Sequence, residues 1–224
     1  KGIVVGCGSR ESIGRLHGRS FVCDPDVQVG RISPNPFRAE IERIGHLTNC
    51  RLALAFVPSL NEWWFGHPSA LMRLAEIEVQ PWVPVHRTYE NVLLHVPASK
   101  GGSFYQASRA ATYLALSESP PIVDGGRIII SASMSEGIGS EDGFRRALEQ
   151  NRPPWTDTLN QDVSGAGAQR IWMLARLALR YQLAVHNVAD SSLFEHLGIE
   201  VVESLPTENV LEVHHPFKEI PQLV

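Results

Sequence analysis

Three stretches of this chain carry side chains able to do chemistry. The first, "KGIVVGCGSRESIGRLHGRS" (1–20), opens on a short apolar run that ends in glycine, followed by Gly6-Cys7-Gly8. Such a turn brings backbone amides close to a pyrophosphate. The dinucleotide fingerprint needs a third glycine three positions after Gly8, and Glu11 stands there. His17 follows four residues after Ile13, at the end of a short helical turn. A lone histidine is more often solvated or packed than a ligand. No His or Cys lies at i+3 or i+4 to complete the usual two-ligand helix face. A metal at His17 therefore needs its other ligands from elsewhere or from a cofactor. Lys1 reads on its own as a solvated amine.

The second stretch is "SKGGSFYQASRAA" (99–111). Its two glycines make either a tight turn or a backbone approach to an anion at the start of the next helix. Ser103 suits the N-cap of that helix. Tyr105, Gln106 and Arg109 follow, and Gln106 and Arg109 share a face at i, i+3. An arginine there holds a carboxylate through two parallel hydrogen bonds. A merely solvated helix face fits the spacing equally well. The third stretch, "SASMSEGIGSEDGF" (131–144), is a Ser- and Gly-rich loop able to line the same crevice. His67 and the pair His214-His215 receive no chemistry, and the pair reads as surface.

These residues need a scaffold. Apolar runs predict strands at 3–5, 27–31, 51–57, 91–96, 127–132, 184–188 and, weakly, 200–202. Helical periodicity predicts helices over 12–18, 36–47, 68–75, 103–116, 140–149 and 167–181. Strand–helix alternation predicts an α/β fold with a mostly parallel sheet. "QPWVPVHRTYE" (80–90), with two prolines, reads as a linker. The expectation is an incomplete N-terminal α/β portion over 1–85, a Rossmann-like, doubly wound domain over 86–213 and an irregular tail over 214–224. The loops after the first two strands of the second domain lie at carboxyl ends of strands, where open α/β sheets bind ligands.

The chain has 224 residues, 43% hydrophobic and 20% charged, with net charge −4. That balance argues against nucleic acid as a partner. No apolar run approaches the ~20 residues of a membrane span. Three cysteines without metal spacing suit reduced thiols in the cytoplasm. The first residue is Lys rather than Met, so the expectation is a piece of a longer protein.

In order along the chain, these stretches resemble the lactate racemase family, whose motif reads roughly K-x-x-x-P-G-x-x-S-x-x-x-I-x-x-x-H. Lys1, Gly6, Ser9, Ile13 and His17 fall in register, with Val5 in place of the proline. "VGRISPNPFRAEIERI" (29–44) is similar to the family's N-P-x-R segment, and "EWWFGHPSA" (62–70) to its G-D-P stretch, with His67 for the acid. "SKGGSFYQASRAA" is similar to its glycine turn and Y-Q-x-x-K helix, and "VDGGRIIISASMSEGIG" (123–139) to its glycine-rich strand and loop.

The resemblance implies a 2-hydroxyacid racemase or epimerase. In the family a nickel-pincer nucleotide is tethered at the Lys1 position, and its nickel is bound at the His17 position. The cofactor supplies the other nickel ligands. Tyr105 corresponds to a cofactor contact, and Gln106 and Arg109 to substrate-binding groups. The implied chemistry is removal of the hydroxyl proton by a histidine, with hydride passing from the substrate carbon to the pyridinium and back. The family's two histidine bases and its main phosphate-binding motif precede the lysine and are absent from this chain. The resemblance thus implies a missing N-terminal segment of the same protein as partner, and little activity for residues 1–224 alone. The family's lysine near the substrate is Arg109 here, and "SGAGAQRI" (164–171) lacks its G-G-H-K pattern. A non-catalytic module that binds a small ligand or nucleotide is the alternative.

Overall fold

The computed structural model describes residues 9–78, 82–165 and 167–224, and the chain divides into two compact units, Lys1–Pro81 and Trp82–Val224. The strand expected at 3–5 lies outside the described residues.

In the first unit, helix α1 (Arg10–Leu16) starts where Ser9 accepts a hydrogen bond from the Ser12 amide at 3.1 Å. Helix α2 (Arg19–Val22) is one turn. Helix α3 (Pro36–Leu47) begins at Asn35, whose side chain caps the Arg38 amide at 3.0 Å, with Pro36 in the first turn. That Asn-Pro start is why its bounds match the sequence expectation. Leu16 and Ile41 form the buried centre, flanked by Phe21, Phe37 and Ile44. Arg15 of α1 and Arg43 both pair with Glu40 of α3. Strands β1 (Ala53–Val57) and β2 (Glu62–Gly66) form an antiparallel hairpin, followed by helix α4 (Pro68–Glu78). Leu54 pairs with Phe65 and Phe56 with Trp63, which leaves four large exposed apolar side chains on one hairpin face. The strand expected at 27–31 is absent. Hydrogen bonds from the Val27 and Gln28 amides to Asp24 and Asp26 make turns there, and Gly30 has φ +85°.

The second unit is built on a five-stranded, all-parallel sheet flanked by helices, the α/β architecture expected from the sequence. Its order of strands and helices is β3 (Trp82–Val85), β4 (Tyr89–His95), α5 (Ala98–Gly101), α6 (Phe104–Ala115), β5 (Ile122–Ser131), α7 (Asp142–Gln150), α8 (Arg170–Ala178), β6 (Gln182–His186), α9 (Ser191–His196), β7 (Glu200–Val201), β8 (Val210–Val213) and β9 (Ile220–Leu223). The sheet runs β7-β6-β5-β4-β8. Its order therefore reverses between β4 and β8.

Leu93, Ile129 and Ala184 stand in one row and pack against Val202, Leu205 and Val210. Their neighbours Val92, Leu94, Ile128, Ile130 and Val185 are also buried, as a sheet covered on both faces requires. Phe104, Phe144 and Phe194 join α6, α7 and α9, with centroids 6.0 and 5.6 Å from Phe104. Burying one such ring contributes about 1.5–3 kcal/mol. At Gly126 a Cβ would lie 2.7 Å from the Ile122 side chain and 2.8 Å from the Val123 carbonyl, so glycine lets β5 begin at Ile122.

Two expectations change. Residues 82–85 of the expected linker are strand β3, and 220–223 of the expected irregular tail are strand β9, paired in parallel with it. Each carries a proline, which is tolerated where a strand has a free edge. Gln222 fixes the tail by donating to Ser117 Oγ at 2.7 Å and accepting from the Ser119 amide at 2.9 Å. Among the described residues, no helix is long and apolar enough to cross a membrane.

Candidate functional site

Helix α6 collects three of the expected site residues, and the loops at the sheet's carboxyl end fix its start. Ser103 occupies the N-cap with extended backbone (φ −135°), but its side chain makes no capping bond. The amides of Phe104 and Tyr105 donate instead to the carbonyls of Gly137 and Ile138, at 2.9 and 3.0 Å. The same loop donates back, from Met134 to Gly101 and from Glu136 to Gly102. The two strand-end loops are thus laced together as the sequence placed them. These two amides are committed to carbonyls, and residues 98–101 form the single helical turn α5 just before the Ser103 cap.

Tyr105 is buried. Its ring meets Phe144 edge-on at 5.4 Å and is walled by Gly139 and Gly167. Gly167 has φ +76°, and a Cβ there would lie 2.9 Å from Tyr105 Cε2, so no other residue fits without movement. The Arg109 guanidinium lies 5.2 Å from the Tyr105 ring centroid, a cation–π contact that orients it. Gln106 Oε1 is buried and has no hydrogen-bond partner among the described residues.

Sequence reasoning missed Arg170, on α8. It is 5% exposed. Its Nη2 donates to Ser108 Oγ at 3.3 Å and Thr112 Oγ1 at 3.1 Å, while its Nε has no partner. Burial, and then the charge of Arg109, pull its guanidinium down to about 10. Among the described residues neither Arg109 nor Arg170 forms an ion pair. Two neighbouring guanidiniums without an ion-pair partner favour an anion beside α6, although the Glu141 carboxylate lies against Gly139 near the start of the helix. A signal was present: Arg170, Leu174 and Leu177 recur at i, i+4, i+7, so a charge sits on the stripe that should be apolar.

His17 lies in the first unit, at the C-cap of α1, and Tyr105, Gln106 and Arg109 lie in the second. His17 is half-buried, and its Nδ1 is 2.8 Å from the Ile13 carbonyl. A carbonyl only accepts, so Nδ1 carries a proton, which in the neutral ring leaves the lone pair on Nε2. Lys1 lies outside the described residues.

No family model matches the chain, and no curated protein matches it. Solved structures share its fold, two of them as follows. The chain superposes on the lactate racemase apoprotein from Thermoanaerobacterium thermosaccharolyticum with TM-score 0.76 and 17% identity, over 96% of its own length and 56% of that protein's. A crystal structure of a Thermotoga maritima protein gives TM-score 0.61 and 10% identity, over 85% of this chain and 54% of that one. The chain thus has a lactate-racemase-like fold and spans about half the length of both proteins.

Proposed function

We propose that the chain is part of a 2-hydroxyacid racemase or epimerase that works with a nickel-pincer nucleotide. The observation that carries this reading is His17. Its Nδ1–H is anchored on the Ile13 carbonyl at 2.8 Å, the kind of hydrogen bond that orients a metal-binding histidine and leaves Nε2 to face the metal. The fold shared with a lactate racemase over 96% of the chain supports it. His17, and by the sequence resemblance Lys1, would hold the group, which when bound supplies a hydride acceptor.

The chain's other residues bind and orient the substrate. Arg109, held over the Tyr105 ring, takes the substrate carboxylate through its planar fork. Arg170 adds positive potential behind it. Gln106 Oε1 accepts from the substrate hydroxyl, which fixes the carbon that changes configuration. The base that takes the hydroxyl proton comes from the remaining part of the same protein and must lie within hydrogen-bond reach.

The test is the nickel content and the racemisation rate of the full-length protein, produced together with the enzymes that make the cofactor. One nickel per chain, lost in His17→Ala, and racemisation of a 2-hydroxy acid are expected. A folded preparation with neither nickel nor the nucleotide mass overturns the reading in favour of a non-catalytic binding module.

A further inference from the structure

The reversal of strand order between β4 and β8 marks the place where open α/β sheets bind ligands, in the crevice beyond the strands' carboxyl ends. Three metal-ligating side chains meet there. His95 is the last residue of β4, and His214 is the first after β8. The register pairs Leu93 with Glu212 and Leu94 with Val213. Residues i and i+2 of a strand share a face, and so do register partners. Glu212, His214 and His95 therefore belong to one side of the sheet. His95 Nε2 lies 2.9 Å from Glu212 Oε2, and His214 Nε2 lies 4.0 Å from the same oxygen. The two imidazoles stack at 4.6 Å between centroids and 12° between planes. One ligand atom from each residue lies within 4.8 Å of the other two, the one such group among the described residues.

We infer that His95, Glu212 and His214 form a binding site for a zinc-class divalent cation. Two imidazole nitrogens and one carboxylate oxygen are the donor set of zinc sites that keep a fourth position open. Donors on one such ion stand about 3.3 Å apart, from bonds of about 2.0–2.1 Å in a tetrahedron. Side-chain rotation alone brings these atoms together, because the strands already fix the three backbones. An exposed Glu–His ion pair contributes little to stability by itself, so stability does not account for the convergence. The neighbouring row continues the polar edge: Ser131, the register partner of His95, lies 3.1 Å through its Oγ from His186 Nδ1. The open position then takes water or the oxygen of an anionic ligand. This site is separate from His17 and does not depend on the racemase reading.

Equilibrium dialysis of the cofactor-free full-length protein against Zn²⁺ tests it, with Co²⁺ absorption reporting coordination geometry. The expected result is one equivalent of Zn²⁺ that His95→Ala, His214→Ala and Glu212→Gln each weaken at least tenfold, while His215→Ala leaves it unchanged. These side chains are partly or largely exposed, and circular dichroism verifies that the variants stay folded. Absence of Zn²⁺ binding, or an equivalent that survives in the His95→Ala/His214→Ala double variant, overturns the inference.

Discussion

Arg170 offers the sharpest quantitative test of how the α6 region is built. Its guanidinium is 5% exposed and has no ion pair among the described residues. Burial, and then Arg109, lower it from the ordinary guanidinium value to about 10. At 1.36 kcal/mol per pKa unit, holding that charge costs the folded state about 3 kcal/mol. Arg170→Met removes the charge and keeps most of the volume. It also removes two hydrogen bonds to hydroxyls, each contributing about 1 kcal/mol, and a weaker one from Nη1 to the Met173 sulfur at 3.2 Å. The hydroxyls keep acceptors of their own: Ser108 Oγ donates to the Tyr105 carbonyl and Thr112 Oγ1 to the Arg109 carbonyl.

The balance favours Met by about 1 kcal/mol, which raises Tm by roughly 2–4 °C in a protein of this size. The sign of the pH dependence follows from linkage. The folded pKa is depressed, so the penalty is complete below about pH 10 and fades as pH rises above it toward the ordinary guanidinium value. Between pH 7 and 9 the gain must therefore be constant in differential scanning calorimetry. On the proposed function, a stabilised variant whose KM for a 2-hydroxy acid also rises identifies Arg170 as a charge kept for anion binding. A Tm lowered by several degrees refutes this reasoning and makes Arg170 a structural tie between α8 and α6.

Two further outcomes are expected. On the proposed function, Arg109→Ala in the full-length protein lowers kcat/KM for a 2-hydroxy acid about tenfold to a hundredfold, since a charge-assisted hydrogen bond contributes about 1.5–3 kcal/mol. Arg109→Lys recovers only part, because an ammonium lacks the planar fork, and unchanged kinetics in Arg109→Ala makes the residue a helix charge without a substrate. In the first unit, Arg43 and then Arg15 hold the Glu40 carboxyl at about 2, against an ordinary 4.5. A depressed carboxylate stabilises above pH 4.5 and loses that contribution as pH falls toward about 2, so Glu40→Gln flattens the acid unfolding curve in this window. Identical acid curves for the two proteins sink that assignment.

How far the sequence reached follows from what each element needs. β4 and β5 were legible because a parallel strand buried on both faces must be a continuous apolar run, as in "NVLLHV" and "RIIIS". α3 was legible to the residue because Asn35-Pro36 is a local start signal. β3 and β9 were not, since Pro84 and Pro221 argue against strands and each strand pairs with the other across almost the whole second unit of the sequence. β8 was hidden by its brevity and by Glu212. The apolar residues of 27–31 suggested a strand, but the Asp24 and Asp26 turns and the left-handed Gly30 bend the backbone there instead.

The candidate site divides along the same line. Tyr105, Gln106 and Arg109 could be read together because one helix carries them at local spacing. Arg170 required knowing that α8 packs on α6, though its place on an apolar stripe was a visible anomaly. His95 and Glu212 stand far apart in the chain, and His214 reads as surface until β8 is laid beside β4. The only local trace was the i, i+2 spacing of Glu212 and His214, which has meaning once that stretch is known to be a strand. Strand order, which no short window encodes, decides which residues share the carboxyl edge of the sheet. That edge also carries the loops that seat α6, so one topological choice in the fold positions the Arg109 side of the molecule and the His95–Glu212–His214 cluster alike.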